Sequence, residues 1–544
     1  MKGYNKYVIY LPFAFAMVLA IGLYFGSRIQ FQSKISSLSG SISNNVHPIQ
    51  HNKINAVLDY IQSEYVDSVS ESKLTDQTIQ SLLQELDPHS YYITAEEYAA
   101  MNEPLMGDFE GIGIEFSIQK DTIVVIAPIA GGPSEILGIQ SGDRIVYIDS
   151  ELVAGIGITN KDVMNKLRGQ RGTKVNVKVL RHGLPKLIPI EITRDKIPIY
   201  SVDAAYMLTK TCGYIKISRF SKNTIDELKV AGRKLIESGL TELILDLRGN
   251  GGGFLDAAVQ VADEFITGGK LIVYTKGRAR KKEMYYAAAG GMFEKSNLVV
   301  LVDEGSASAS EIVAGAIQDN DRGLIIGRRT FGKGLVQEQT PLWPDGSSIR
   351  LTVARYYTPT GRCIQKSYKK GSKTYYNDYY KQLNNGEFLT IDSLSIPDSE
   401  KYKTAAGKTV YGGGGIMPDI IIPYDSLHNT YYFAEIVYRG ILQQFAFNYS
   451  DKNRNMLNKY SSFEEFKNSF FINSRLLNEF IDYADKEGVE KKENEIERSL
   501  PLIKNRLKAY IARNIWQNDG FYPLINEIDP AIKVAKRSLS GLKQ

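Results

Sequence analysis

The chain has few of the residues from which metal centres and disulfide scaffolds are built. Its 544 residues include two cysteines, Cys212 and Cys363, and their separation matches no metal-binding spacing. They are either free thiols or one disulfide, and free thiols are the favoured interpretation because a chain of this length needs no covalent cross-link. The sequence therefore predicts no metal ion and no other cofactor.

An excess of charge of one sign is also absent. The formal net charge is +5, which is small for this length, and no basic stripe is interleaved with aromatic residues. Nothing therefore indicates a nucleic-acid partner. Histidine is scarce as well: there are five, and none lies in or next to the two segments described below as candidate sites of chemistry. No local histidine therefore supplies a base for a nucleophile in those segments.

The N-terminus carries one long apolar run. Residues 7–26 are twenty residues without a charge, preceded by Lys2 and Lys6. Such a run can cross the ~30 Å core of a bilayer as a helix, and its positive flank stays on the cytoplasmic side. No Ala-x-Ala cleavage site follows, which favours an uncleaved anchor over a removed signal peptide. We expect a single-pass anchor in the inner membrane, followed by a stalk, with the rest of the chain on the extracytoplasmic (periplasmic) side.

Several serines stand where a buried strand turns into a helix. Residues 298–302 are a continuous apolar run, which is typical of a strand buried on both faces. Residues 304–311 follow with the sequence Glu-Gly-Ser-Ala-Ser-Ala-Ser-Glu, and apolar residues then recur at helical spacing. A hydroxyl at such a helix start lies beside free backbone N–H groups, an arrangement suited to a nucleophile. Taken alone, however, the stretch is more typical of a plain helix N-cap.

A lysine between two glycines is the candidate base. Lys333 stands in the sequence Phe-Gly-Lys-Gly, after a second apolar run. The glycines let the backbone approach closely and leave no side chain to solvate the amine. Burial disfavours the charged form of lysine, and a pKa lowered from about 10.4 to roughly 7–8 makes a usable general base. Serine–lysine pairs are a variant of the catalytic triad, although Gly-Lys-Gly alone is also typical of a turn.

Together the two segments resemble the C-terminal processing peptidases, also called tail-specific proteases. These are Ser-Lys serine peptidases that carry a PDZ domain, and the resemblance covers roughly residues 50–425. It implies that Ser308 is the nucleophile, that Lys333 is the general base, and that Gln337 orients the lysine. It also implies a crotonase-like (ClpP/crotonase) α/β core with an inserted PDZ domain and helical N- and C-terminal segments.

The PDZ domain of this family fits residues 104–196. The resemblance assigns carboxylate binding to a loop of four residues, Gly111, Ile112, Gly113 and Ile114. Backbone N–H groups of such a loop capture the C-terminal carboxylate of a peptide, and the peptide adds a strand to the sheet edge. Arg168 follows the expected groove helix, in the region from which relatives reach toward the catalytic centre when substrate binds. A solvated arginine is the alternative interpretation.

A run of three glycines after another apolar strand is the candidate oxyanion hole. The segment resembles the family's Asp-Leu-Arg-x-Asn-x-Gly-Gly motif. On that basis the donors are the N–H of Gly252 or Gly253 together with the N–H of Ala309; without the resemblance, a helix-capping loop is as good an interpretation. Arg248 and Asp319 match polar positions of the family, and we expect them to form an ion pair that shapes the site.

A chain of this length predicts several domains. We expect an anchor and stalk at 1–48, a helical segment at 49–103, the PDZ domain at 104–196, the peptidase core at 197–425 and a helical extension at 426–544. The extension could pack on the core, form a homodimer or bind an adaptor, and the sequence does not choose among these. His89, in an Asp-Pro-His turn of the helical segment, is predicted to be structural.

The sequence therefore predicts a membrane-anchored serine endopeptidase. It recognises unstructured protein C-termini through its PDZ domain and cleaves peptide bonds through a Ser-Lys dyad and an acyl-enzyme. The first alternative is a catalytically inactive PDZ scaffold that binds peptides. The second is another crotonase-like enzyme that acts on acyl thioesters, which would need neither the PDZ domain nor the lysine.

Overall fold

The computed structural model describes residues 51–369, 371, 374–377 and 397–541. The predicted anchor and stalk lie outside these residues. Within them, no helix combines the length and the apolar character that crossing a membrane requires. The chain up to Gln77 forms a unit of its own. Its helices are α1 (His51–Glu64) and the first part of α2 (Glu71–Gln84).

The second unit starts at Thr78 and includes a short connecting segment ahead of the first domain. This segment contains β1 (Tyr91–Ile93) and α3 (Ala95–Met106). Helix α3 begins at a capping box, in which the side chains of Thr94 and Glu97 each accept the other residue's backbone N–H. It ends at Gly107, whose φ of 87° lies in the left-handed region that glycine tolerates.

Residues 108–198 form a small β-rich domain. Its strands are β2 (Asp108–Gly111), β3 (Ile114–Gln119), β4 (Thr122–Pro128), β5 (Arg144–Ile148), β6 (Glu151–Leu152), β7 (Lys174–Leu180), β8 (Ile188–Thr193) and β9 (Asp195–Pro198), and its helices are α4 (Pro133–Ile136) and α5 (Asn160–Leu167). One antiparallel sheet has the order β3-β4-β5-β7-β8, with β6 beside β5, while β2 pairs with β9. Strand β3 is an edge strand, since in the described part of the chain it pairs with β4 alone.

Alternating side chains build the core of this domain. In β7, Val175, Val177 and Val179 are buried while the residues between them are exposed, as the period of two in a strand requires. The three valines share a core with Ile123 of β4 and Val163 of α5. Helix α5 therefore packs its apolar face on the sheet.

The third part of the chain is a mixed α/β domain. Its elements are β10 (Val202–Met207), β11 (Cys212–Ile217), α6 (Thr224–Glu237), β12 (Glu242–Asp246), α7 (Leu255–Asp263), β13 (Leu271–Lys276), β14 (Glu283–Tyr286), β15 (Asn297–Val302), α8 (Ala309–Asp319), β16 (Leu324–Gly327), β17 (Leu335–Gln339), β18 (Ser348–Tyr357), β19 (Lys401–Lys403), β20 (Thr409–Tyr411) and β21 (Ile420–Ile421). The central sheet has the order β10-β11-β12-β15-β16-β21, and its strands are parallel from β11 onward.

Strands β12 and β15 are neighbours in this sheet and are buried on both faces. Because they are parallel, the loops after them meet at one edge of the sheet. Helices α6, α7 and α8 cover one face, where their apolar residues share a core with Leu243, Leu245 and Val300. The candidate nucleophile and the candidate oxyanion loop are therefore brought together by strand order.

A second sheet carries the lysine segment. It has the order β1-β18-β13-β14, and β17 pairs with β18. Strand β1 joins it through antiparallel pairing of Tyr92 with Ile349. The segment before the β-rich domain is therefore part of the same sheet as β17, the strand that contains Gln337.

The C-terminal region is helical and touches both domains. Its helices are α9 (Tyr431–Tyr438), α10 (Ile441–Lys452), α11 (Arg454–Leu457), α12 (Phe463–Ser469), α13 (Ser474–Lys486), α14 (Glu493–Ile528) and α15 (Pro530–Gly541), with non-helical backbone inside α14 at Trp516 and Gln517. Helix α15 covers the second face of the central sheet, where Ile532 packs in a core with Ile244 and Leu301. Asp451 pairs with Arg144 of the β-rich domain at 3.2 Å. Of the alternatives for this region, packing on the core is what the structure shows.

Candidate active site

Ser308 stands at a strained turn between β15 and α8. Its φ is 55° and its ψ is −111°, a conformation that a residue with a Cβ rarely adopts. The side chain is half-buried, and it lines a cavity of about 470 Å³. A sharp strand-to-helix turn of this kind holds a serine hydroxyl out toward a cavity.

Lys333 lines the same cavity. Its Nζ donates a hydrogen bond to Oε1 of Gln337 at 2.8 Å. Burial lowers the pKa of Lys333, and the positive charge of Arg350 lowers it further, while Glu311 and Asp87 oppose the shift. Among the described residues, no hydrogen bond joins Lys333 Nζ directly to Ser308 Oγ. Burial therefore makes the amine easier to deprotonate than a solvated lysine, and the amine is held by the residue predicted to orient it.

A buried carboxylate links the serine and lysine segments. Oε2 of Glu311 accepts the backbone N–H of Ser308 at 2.8 Å and that of Lys333 at 2.9 Å. Oε1 accepts the N–H of Gly332 at 2.8 Å and the hydroxyl of Thr330 at 2.5 Å. Burial raises the pKa of Glu311, and these four hydrogen bonds oppose the shift. Sequence reasoning gave this residue no role, although a glutamate three positions after a helix N-cap serine is a capping-box signal.

Gln337 is fixed by a residue far away in the chain. Its Nε2 donates to the backbone carbonyl of His89. The His89 ring is buried, it lies 2.9 Å from the hydroxyl of Tyr375, and its pKa is lowered to about 4 by burial and by the charge of Lys333. The backbone N–H of His89 donates to Asp87 in a tight turn. His89 is thus a structural turn residue, as predicted, but its carbonyl also contacts the lysine's partner, which no local pattern indicated.

Tyr356, on β18, contacts the backbone of both the serine segment and the lysine segment. Its hydroxyl lies 2.8 Å from the carbonyl oxygen of Lys333 and 3.1 Å from that of Ser308, and it donates toward both. Burial raises the pKa of Tyr356 well above its usual value, so the phenol keeps its proton. Together with Glu311, it determines how far apart the two segments lie.

The two candidate oxyanion glycines differ in their hydrogen bonding. The N–H of Gly252 donates to the Asn250 side chain at 2.9 Å and is therefore occupied. Gly253 and Phe220 form an isolated β-bridge, but its hydrogen bonds are made by the backbone groups of Phe220, Gly252 and Phe254. In the described part of the chain, the N–H of Gly253 has no acceptor. The N–H of Ala309 belongs to the first turn of α8, which has no intrahelical acceptor. Gly253 and Ala309 are thus the two predicted donors that remain available.

Arg248 and Asp319 do not pair with each other, contrary to the expectation. Arg248 lies 2.6 Å from Asp246 and 2.7 Å from Asp529. Asp319 is paired with Arg362 at 2.6 Å, and both side chains are fully buried. Asp319 is the last residue of α8, about 15 Å along the helix from its start. Helix length therefore separates the two residues, and each belongs to its own ion pair.

The predicted peptide-binding loop lies between β2 and β3. Gly111 ends β2, Ile114 begins β3, Ile112 is buried, and Gly113 has a φ of 76°. A Cβ at Gly113 would meet only the end of the Ile197 side chain at 2.9 Å, so it is the positive φ that favours glycine at this position.

Arg168 caps the C-terminal end of α5 and is not simply solvated. Its guanidinium pairs with Glu103 at 2.5 Å and lies 4.7 Å from the ring centroid of Phe109. Glu103 belongs to α3, whose residues Met101 and Leu105 line the cavity beside Ser308. Arg168 thus connects the groove helix to a wall of the candidate active site. Whether it senses substrate stays a prediction.

The cysteines and the acidic side chains offer no second site of chemistry. Cys212 is buried, Cys363 is half-buried, and neither forms a disulfide. Across the described residues, no group of histidine, cysteine, aspartate and glutamate side chains is arranged to hold a metal ion.

Comparison with known proteins identifies the family. Residues 211–371 match peptidase family S41, residues 111–192 match the PDZ domain, residues 17–97 match the N-terminal domain of the activating protease CtpB, and residues 432–517 match a family of unknown function. The carboxy-terminal-processing protease of Bartonella bacilliformis is 38% identical over 314 residues, which are 57% of this chain and 71% of the relative. The carboxy-terminal processing protease CtpA of Bacillus subtilis is 34% identical over 360 residues, 66% of this chain and 75% of the relative.

A solved structure is also similar. The photosystem II D1 C-terminal processing protease is 31% identical, covers 59% of this chain and 91% of its own, and superposes with a TM-score of 0.34.

The fold and the sequence matches define the class as a serine peptidase with a PDZ domain. The chain belongs to the C-terminal processing proteases of peptidase family S41. The family resemblance inferred from the serine and lysine segments is thereby confirmed, and so is the prediction of an enzyme.

Proposed function

We propose that this protease is an endopeptidase that cleaves unstructured protein tails with Ser308 as nucleophile and Lys333 as base. Neutral Lys333 accepts the proton of Ser308, which attacks the peptide carbonyl. The N–H groups of Ala309 and Gly253 stabilise the oxyanion. Protonated Lys333 then gives its proton to the leaving nitrogen as the C–N bond breaks, which leaves an acyl-enzyme on Ser308 and a neutral lysine. Water activated by the same lysine then hydrolyses the acyl-enzyme. The core has the crotonase-like fold that the family resemblance implies.

One observation carries this proposal: a single carboxylate, that of Glu311, binds the backbone N–H groups of both Ser308 and Lys333. The two functional groups line one cavity, and the amine's present partner is Gln337. The proposal requires the lysine side chain to rotate so that its Nζ leaves Gln337 and contacts the serine hydroxyl. Catalytic hydrogen bonds often form only when substrate is bound.

The PDZ domain is proposed to capture the C-terminus of the substrate. The match to the PDZ domain supports this role, as do the free edge of β3 and the glycine-containing loop at its start. A peptide can add to β3 as a further strand, with its carboxylate bound by backbone N–H groups of the loop between Gly111 and Ile114.

The location of the enzyme is proposed from the sequence. The uncharged run of residues 7–26 and the flanking Lys2 and Lys6 support an inner-membrane anchor with the protease domain in the periplasm. The helical C-terminal region is proposed as the site of dimerisation or adaptor binding, because it presents surface outside the two domains that it joins.

A digestion assay tests the activity. The purified full chain should cleave an unstructured protein, and Ser308→Ala and Lys333→Ala should each abolish cleavage. Lys281→Ala, which removes an exposed lysine, should leave the rate unchanged. Blocking the C-terminal carboxyl of the substrate should slow cleavage by wild type. Peptide binding without cleavage would instead identify an inactive scaffold, and wild-type activity in the serine and lysine variants would refute the dyad.

A further inference from the structure

An arginine in the active-site cavity has no acidic partner in the described part of the chain. Arg350 lies on β18, and its guanidinium lines the cavity beside Ser308 and Lys333. It donates to the hydroxyl of Tyr91 at 2.7 Å, to Oε1 of Gln339 at 3.0 Å and, more weakly, to Oδ1 of Asn102 at 3.4 Å. All three acceptors are neutral, and no carboxylate among the described residues forms an ion pair with it.

Two other arginines of the α/β domain do have acidic partners. Arg362 is fully buried and paired with Asp319, and Arg248 is paired with Asp246 and Asp529. A guanidinium has five N–H donors. Three of those of Arg350 are used, so two are left for a ligand.

The cavity itself contains no negative charge. Its lining includes two basic side chains, and no aspartate or glutamate lines it within the part of the chain that the structure describes. The uncharged lining includes Met101, Leu105, Phe254, Leu335 and Tyr356. Tyr91, the closest partner of Arg350, is partly buried, and burial raises its pKa, so it stays a neutral phenol. In the proposed mechanism Lys333 acts as a neutral amine, so the positive charge in the cavity lining is then that of Arg350.

We infer that Arg350 binds a carboxylate of the substrate close to the scissile bond. The inference rests on the proposed function and specifies its substrate class: protein tails with an acidic group next to the cleavage site. That group is either an aspartate or glutamate side chain or the terminal carboxylate of a short tail. The reason is that a guanidinium with neutral partners and unused donors is complementary to a carboxylate, with which it forms charge-assisted hydrogen bonds.

The experiment compares matched peptides within each enzyme. Peptides spanning a cleavage site mapped in the digestion assay are made with glutamate or glutamine at each position around the scissile bond. A second set carries a free or an amidated C-terminus. For wild type we expect kcat/KM to be about tenfold higher for the carboxylate form at one position, since a charge-assisted hydrogen bond contributes at least this much.

The ratio of carboxylate to amide rates is the measured quantity, because it does not depend on the overall rate of a variant. In Arg350→Gln we expect this ratio to fall to about one. Arg355→Gln, which changes an exposed arginine on the same strand, should keep the wild-type ratio. Arg350→Lys keeps the positive charge but lacks the planar guanidinium, so it should give an intermediate ratio. It replaces Arg350→Gln in the test if the glutamine variant does not fold.

The two peptide sets identify the source of the carboxylate. A preference that follows glutamate assigns the site to an acidic side chain, and one that follows the free terminus assigns it to the end of the tail. A terminus effect that is equal in wild type and Arg350→Gln belongs to the PDZ domain and counts against Arg350.

A wild-type ratio near one at every position overturns this inference but leaves the protease assignment intact. A wild-type enzyme that cleaves no peptide at all overturns the proposed function, and this inference with it.

Discussion

Arg248 and Asp529 form an ion pair at 2.7 Å although 281 positions separate them in the chain. Arg248 belongs to the loop that carries the candidate oxyanion glycines, and Asp529 lies immediately before the last helix, α15. That helix covers the second face of the central sheet. The C-terminal region therefore packs on the α/β domain, and its Asp529 contacts the loop that carries the candidate oxyanion glycines.

The ion pair predicts a stability effect. Asp529→Asn removes the charge that faces Arg248 but keeps the shape of the side chain. We expect a loss of about 2 kcal/mol in the free energy of unfolding, because a charged partner of a mostly buried guanidinium is lost while Asp246 remains. Denaturant unfolding of the two proteins measures it. Asp519→Asn, at an exposed position of α14, should be within experimental error of wild type; equal loss in both variants would argue against a specific role of the pair.

Glu311 is predicted to be required for activity. Glutamine at this position cannot accept all four hydrogen bonds, so the serine and lysine segments lose their common support. We expect kcat to fall about 100-fold, since small displacements of reacting groups cost this much, and stability to fall by about 1–3 kcal/mol. Peptide cleavage and thermal unfolding measure the two effects. Glu237→Gln, at an exposed position of α6, is the control, and a Glu311→Gln enzyme with wild-type kcat would contradict the assignment.

The pH profile should report the free amine of Lys333. Its pKa is lowered by burial and by Arg350, so activity should rise with pH and level off below the value of about 10.4 for a free lysine. Arg350→Gln removes a positive charge that disfavours the protonated amine. The pKa of Lys333 should then rise, and the midpoint of the profile should move to higher pH. The measurement is kcat/KM against pH, with Arg355→Gln as the unshifted control; a shift to lower pH would be incompatible with this electrostatic arrangement.

Two adjacent glycines provide a matched test of the oxyanion loop. A Cβ at Gly252 would lie 2.8 Å from the Ala307 carbonyl oxygen and 3.0 Å from the nitrogen of Ala309, and its φ is 103°. A Cβ at Gly251 would meet nothing within 4 Å. We expect Gly252→Ala to reduce kcat about 100-fold, the size of effect seen when an oxyanion donor is lost, and Gly251→Ala to reduce it much less. Similar kcat values for the two variants would show that close packing at Gly252 is not needed.

Local patterns predicted the elements that carry the candidate chemistry. The apolar run before Ser308 is a buried strand, and the apolar spacing after it is helix α8. Lys333 and Gln337 are four positions apart, and their side chains are in contact at the start of β17. The expected ion pair of Arg248 with Asp319 was wrong, because Arg248 pairs with Asp529 and Asp319 pairs with Arg362. The resemblance to the family assigned both residues to the domain but did not predict which side chains form ion pairs with them.

The sequence alone determined the family, the serine and lysine segments and the PDZ-type loop, because each is recognised from a motif of residues that are neighbours in the chain. Only the tertiary structure decided which groups surround them. The carbonyl of His89 holds Gln337, the charge of Arg350 enters the cavity, and Asp529 supports Arg248. These contacts join strands and helices that lie hundreds of positions apart, and they depend on sheet order and helix packing, which no local pattern contains.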